Sequence, residues 1–177
     1  HVRSRRQRQM CKETGPEQTG DIGTIAAVTR AAFLDHPHSN QTEHFIIAAL
    51  RAANALTLSL VAEVDGQVVG HIAFSPVTIS DSRPGWYGLG PISVLPEKQN
   101  RGIGKSLIES GLSQLRADKA QGCVVVGDPA YYRHFDFRHS DTLTYPDLPA
   151  EYFLVLPFQA VSAQGIVSYH PAFSAQA

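Results

Sequence analysis

Two cysteines, Cys11 and Cys123, are all that the 177 residues offer for disulfide chemistry. One stands near the amino end and the other in an apolar run, so both read as reduced thiols of a cytoplasmic protein. The chain holds neither C-x-x-C nor H-E-x-x-H, and its eight histidines are not spaced as metal ligands, so no metal site is expected. A G-x-S-x-G elbow is missing too, which argues against an acyl-enzyme built on serine. No apolar run approaches the roughly 18 residues of a membrane span. Charged residues make up only 18% and sum to −1, which leaves no basic face for general nucleic-acid binding.

What remains is a chain with 43% hydrophobic residues, enough for one full core. His1 to Gln9 carries four arginines and reads as a solvated basic extension, with residues 10–177 forming one domain. Apolar residues recur at helical spacing from Asp21 to Phe33, after a start signal at Pro16–Thr19, and again from Phe45 to Ala53 behind a Thr42 cap. Leu58–Val64 and Val68–Ile79 are β-rich runs joined by Asp65-Gly66, a hairpin signal. Trp86–Val94 is a third strand, broken by Gly88, Gly90 and Pro91, which mark a bulge or a close approach by a ligand. A helix follows from Ile103 toward Ala120, then a short buried strand, Cys123–Val126. Asp128-Pro129 opens a short helix bearing Tyr131 and Tyr132. Further strands are expected at Phe137–Leu143, Tyr152–Leu156 and Gly165–Tyr169. The order predicts mixed α/β architecture with an antiparallel first half and one βαβ unit.

The most informative stretch is Gln99-Asn100-Arg101-Gly102-Ile103-Gly104-Lys105-Ser106. A strand that turns through glycines into a helix is a device for holding an anion. The first helical N–H groups have no internal partner, and the helix dipole adds positive potential there. Gly104-Lys105-Ser106 matches the end of a nucleotide-binding phosphate loop. That pattern, however, requires glycine where Gln99 stands and usually follows a first strand. A phosphorylated ligand is expected at this turn.

Gln-x-x-Gly-x-Gly, preceded by Ile92-Ser93-Val94-Leu95-Pro96, resembles motif A of the GNAT superfamily of acetyl-CoA-dependent N-acetyltransferases. Tyr131-Tyr132-Arg133-His134-Phe135-Asp136-Phe137 resembles the aromatic-Tyr-x-x-x-Gly-Phe signature that ends the same core. The resemblance is close over Trp86–Arg138 and looser over most of Cys11–Phe173. It implies the GNAT fold, a mixed sheet with flanking helices, splayed at the cofactor site. It also implies acetyl-CoA as cosubstrate and direct transfer to a primary amine of a metabolite or protein. A non-catalytic acyl-CoA-binding regulatory module is the alternative.

The resemblance assigns roles. Main-chain N–H groups around Arg101–Lys105 would take the pyrophosphate, with Gly102 and Gly104 giving access. Gln99 and Arg101 would reach phosphate oxygens, and Asn100, Ile103, Lys105 and Ser106 complete the turn. The main chain of Ile92, Ser93 and Val94 would pair with pantetheine. Tyr132 would protonate the departing thiolate, while Tyr131 is expected to pack. Asp136 replaces the family's glycine, a place aspartate tolerates because it adopts left-handed backbone better than most residues. The strand that often bears a glutamate base has no carboxylate, which leaves His71, Asp128 and Glu43 as weak candidates. The family's habit of pairing through carboxy-terminal strands makes Tyr152–Tyr169 a candidate edge for a homodimer.

Overall fold

The computed structural model describes residues 12–160 and 163–177. The basic extension and Cys11 lie outside the described residues. In chain order the elements are β1 (Lys12–Pro16), α1 (Ile22–Phe33), α2 (Glu43–Ala52), β2 (Leu58–Val64), β3 (Gln67–Pro76), β4 (Thr78–Ile79) and β5 (Trp86–Val94). Then come α3 (Ile103–Ala117), β6 (Gly122–Val126), α4 (Pro129–Tyr132), β7 (Leu143–Thr144), β8 (Phe153–Pro157) and β9 (Gly165–Ser168). A six-stranded sheet runs β1-β2-β3-β5-β6-β8, and a three-stranded one runs β4-β9-β7. All neighbours in the large sheet are antiparallel except β5 and β6, which are parallel and joined by α3. This is the mixed architecture expected.

Two apolar layers sandwich the large sheet. Ile72 and Phe74 of β3 face Leu107, Ile108, Leu112 and Leu115 of α3. The opposite face carries α1, α2 and the small sheet, with Ile25, Ile47 and Val61 in one cluster and Trp86, Val124, Val155 and Val167 in another. β6 is therefore buried on both sides, as its unbroken Cys123–Val126 run predicts. Asp65 and Gly66 take φ of 52° and 79°, the pair of positive values that a tight hairpin turn needs.

The differences from the sequence are local. β1 has no apolar pattern and was not expected; it is an edge strand held on β2 by main-chain pairing from Lys12↔Val64 to Pro16↔Leu60. The run expected to continue to Ile79 ends at Pro76, which cannot extend the ladder, and β4 leaves for the small sheet. Phe137–Leu143 is not a strand. Arg138 makes one bridge to Val155, and Ser140 Oγ then accepts from the N–H groups of Thr142 and Leu143, turning the chain. The Tyr152–Tyr169 segment supplies β8 at the edge of the large sheet and β9 inside the small one.

Asp136 takes φ 72°, the left-handed conformation that the glycine position demands. Its carboxylate approaches Arg138 at only 3.7 Å on the surface, so little is lost without it. Asp136→Gly should raise stability by about 0.5–1 kcal/mol by relieving backbone strain, measured by thermal or urea unfolding. An unchanged or lower melting temperature would show the turn to be unstrained.

Candidate functional site

The turn after β5 is built by backbone. Asn100 and Gly102 take φ of 62° and 79°, which swings the chain into α3. No side chain caps α3. The first helical bond runs from the Ser106 N–H to the Gly102 carbonyl at 3.0 Å, so the N–H groups of Ile103, Gly104 and Lys105 have no helical partner. They border a cleft of about 360 Å³ that also takes in Ile92, Ser93, Val94, Lys98, Gln99, Asn100, Gly102 and Tyr131. Of the residues expected at the site, Arg101, Ser106 and Tyr132 do not line it. Gln99 lines the cleft and also holds the turn together. Its Nε2 donates to the Val94 carbonyl at 3.1 Å and pins the turn to the strand end. Lys12, which no sequence pattern marks, donates from Nζ to the Gly102 carbonyl at 3.0 Å and brings a cation to the turn.

Above the turn the sheet forks. β5 pairs with β6 only through Trp86↔Gly122, Tyr87↔Cys123 and Gly88↔Val124. On its other side β5 stays on β3 as far as Val94, but Gly90 and Pro91 bulge out of that ladder. Ile92, Ser93 and Val94 thus have one strand neighbour and present their other edge to the cleft. The bulge is the break that the glycines and proline announce.

The two tyrosines of α4 divide differently than expected. Tyr131, expected to pack, is 41% exposed and lines the cleft, its hydroxyl 3.4 Å from where a Cβ on Gly104 would stand. Tyr132 is 8% exposed, with its ring beneath Gly127 and edge-on to Phe137. Burial, with smaller contributions from Tyr131 and Cys123, pushes its hydroxyl well above the usual range, so it holds its proton. From the opposite face Tyr169 lies against Gly88, where a Cβ would come within 2.6 Å of its ring. Tyr169 has a partly exposed ring, but its hydroxyl is buried and finds no partner among the described residues. The Tyr169 ring thus meets β5 at its last rung with β6.

The three candidate bases stand apart. Asp128 caps α4, accepting from the Ala130 N–H at 2.9 Å. Glu43 opens α2 and accepts from Ser39, with Oε2 buried and unpartnered among the described residues. His71 is fully buried in β3. Its Nε2 lies 2.7 Å from Ser59 Oγ, and Ser59 in turn donates to Glu17, which Arg51 grips with two bonds of 2.9 and 3.0 Å. Burial alone would raise the Glu17 carboxyl, but bonds from Arg51 and Ser59 outweigh it and hold it below its ordinary value. Burial, opposed by Glu17 and aided by Arg51, drives the His71 imidazole down to about 4. No sequence signal marks Glu17, which reads as part of a helix start.

Residues 56–139 match the family model for the acetyltransferase (GNAT) domain. The uncharacterized N-acetyltransferase YhbS of Escherichia coli is 34% identical over 119 residues, 67% of this chain and 68% of that protein. Among solved structures, a GNAT family acetyltransferase from Brucella melitensis in complex with acetyl-CoA is 52% identical, with a TM-score of 0.83 over 92% of this chain and 98% of that one. Escherichia coli YhbS in complex with CoA is 29% identical, with a TM-score of 0.82 over 92% and 91% of the two chains. The chain belongs to the GNAT superfamily of acetyltransferases. It is an acyltransferase of that class, and the glycine turn, forked sheet and α4 tyrosines are its motif-bearing parts.

His71 makes stability depend on pH with a definite sign. The folded state resists its protonation down to about pH 4, whereas the unfolded chain takes the proton near 6.5. Stability should therefore be complete above pH 6.5 and decline by up to about 3 kcal/mol as pH falls to 4. Glu17 loses its contribution as pH falls from its ordinary value of 4.5 toward its lowered one, so a scan that stops at pH 4.5 reads mainly His71. Urea unfolding from pH 7 to 4.5 should show this slope, and His71→Gln should flatten it. An equal slope in that variant would assign the effect elsewhere.

Proposed function

We propose that this protein transfers an acetyl group from acetyl-CoA directly to a primary amine. The observation that carries the reading is the unpaired edge of β5 beside the free N–H groups of α3. One element offers a ladder of main-chain partners for an extended ligand arm, and the other offers donors and dipole for a pyrophosphate. The residues fit such a ligand: Ile92, Ser93 and Val94 would hold pantetheine, and Asn100 to Lys105 the phosphates. Lys12 adds a positive charge to that end, and Tyr131 forms a wall. The complexes of the Brucella protein with acetyl-CoA and of YhbS with CoA support the assignment.

In this reading the acceptor nitrogen attacks the thioester carbonyl at the fork. An N–C bond forms, the C–S bond breaks, and sulfur leaves with the electron pair. Tyr132 gives that sulfur its proton, as a phenol that burial has made a weaker acid than a free tyrosine. Its buried hydroxyl is kept protonated for the purpose, and solvent restores the proton afterwards. A panel of primary amines with acetyl-CoA, read by release of CoA thiol, tests the reading. Binding without thiol release from any amine would instead support a regulatory acyl-CoA-binding module.

Gly104→Val should abolish acetyl-CoA binding in calorimetry while the protein stays folded. An added Cβ meets nothing closer than the Tyr131 hydroxyl at 3.4 Å, yet it stands over the donors. Gly102→Val is a poorer test, because φ 79° strains any side chain there. Unchanged affinity in folded Gly104→Val would remove the pyrophosphate from this turn. Tyr132→Phe should lower kcat roughly 10²-fold with acetyl-CoA affinity nearly constant. Full kcat with a raised KM for acetyl-CoA would make Tyr132 a packing residue.

A further inference from the structure

The Arg51–Glu17–Ser59–His71 chain determines where the histidine proton sits. An ionised carboxylate only accepts, so the Ser59 hydroxyl spends its one hydrogen on Glu17. Ser59 can then only accept from His71, which makes Nε2 the protonated nitrogen of the neutral ring. Nδ1 is left as a bare lone pair, buried and without a partner among the described residues. A buried acceptor left unpaired is costly, and a histidine with only a structural task has no use for one.

Its neighbours point to the reaction. His71, Ala73 and Ser75 share the face of β3 that turns away from α3. His71 pairs with Ser93 and Ser75 with Gly88, so their two rungs flank the bulge at Gly90 and Pro91. Ser75 Oγ is also buried and unpartnered among the described residues, as is the hydroxyl of Tyr169, whose ring lies over Gly88. Three orphaned polar atoms thus surround the part of β5 that meets the fork, all on the side opposite the phosphate turn. The covering helix α1 presents Thr29, whose Oγ1 lies 3.3 Å from Ser93 Oγ, and adds no charge. The charges acting on His71 are Glu17, which favours its protonation, and Arg51, which opposes it.

We propose that His71 Nδ1 accepts the proton lost by the acceptor nitrogen during acetyl transfer, directly or through water, and that Ser59 and Glu17 pass a proton on to solvent beside Arg51. This rests on the acetyltransferase reading above. As the N–C bond forms, the attacking nitrogen becomes strongly acidic and a weak base suffices. Nδ1 gains a hydrogen, the Nε2 hydrogen moves to Ser59, and the Ser59 hydrogen moves to Glu17, which releases it. The C–S electron pair goes to sulfur with a proton from Tyr132, so the products are the amide and CoA thiol.

Nitrogen NMR of ¹⁵N-histidine-labelled protein, with His71 assigned by its loss in His71→Gln, reads the tautomer without any substrate. An Nδ1 without hydrogen and an Nε2 bearing one are expected from pH 6 to 9; a hydrogen on Nδ1 overturns the proposal. With amines from the thiol-release panel, spermidine, lysine and glycylglycine among them, His71→Gln should lower kcat roughly 10²-fold while the calorimetric Kd for acetyl-CoA stays within about twofold. Ser59→Ala should also lower kcat, and Ser59→Thr, which keeps the hydroxyl, should restore it. That pair decides the matter if His71→Gln does not fold. Wild-type turnover matched by His71→Gln, or equal losses in both Ser59 variants, sinks the relay and leaves the acetyltransferase standing. Wild-type binding of acetyl-CoA with no thiol release sinks both.

Discussion

The site depends on a shortage of main-chain partners. β5 and β6 share three rungs and then part, so the edge of β5 beyond Gly88 has hydrogen-bonding groups on one side and no strand to take them. Backbone donors and acceptors are rarely left that way in an interior. The bulge at Gly90 and Pro91 bends β5 away, and α3 fills one side of the separation with Ile103, Leu107 and Ile108. The cleft at the glycine turn, the Tyr169 ring and the buried histidine are all arranged around that parting. A straighter β5, zipped to β6 along its length, would bury the same apolar residues and have no place for a ligand.

The two faces of the sheet then take different work. Toward α3 the groups are donors and a dipole suited to phosphate, and the side chains between them are aliphatic. Toward α1 and the small sheet they are a histidine, serines and a tyrosine with few charges among them. Low polarity around His71 keeps its ring neutral, while one ion pair at the rim, Arg51 with Glu17, fixes which nitrogen carries hydrogen. A single buried charge would be costly there; a neutral chain of bonds ending at a partly buried ion pair is less so.

Much of this was legible in the sequence because it is encoded locally. Gly102 and Gly104 after an apolar strand, the Asp65-Gly66 turn, the helical stripe from Ile103 and the unbroken Cys123–Val126 run each signal their structure within a few residues. Gly88, Gly90 and Pro91 signalled the bulge for the same reason. What stayed hidden comes from long-range pairing. β1 has no pattern of its own, because an edge strand is held by another strand's backbone. Lys12 lies ninety positions from Gly102, and Glu17 is forty-two from Ser59. The place of Tyr131 in the cleft was hidden too, since neighbours on one short helical turn differ only in direction, and the packing of Tyr132 against Phe137 and Gly127 decides it.

β1 is a five-residue edge strand with few buried side chains, the kind of element that opens most easily. Yet its first residue, Lys12, clasps the carbonyl that begins α3, and Glu17, just past its last, anchors the bonds to His71. Fraying of that one strand would loosen the phosphate end and the histidine chain together, though the two lie on opposite faces of the sheet. A ligand that draws the Lys12 cation to itself would in turn tighten the register of the strand on β2. The glycine turn and the histidine chain thus share one anchor, the sheet's outermost strand.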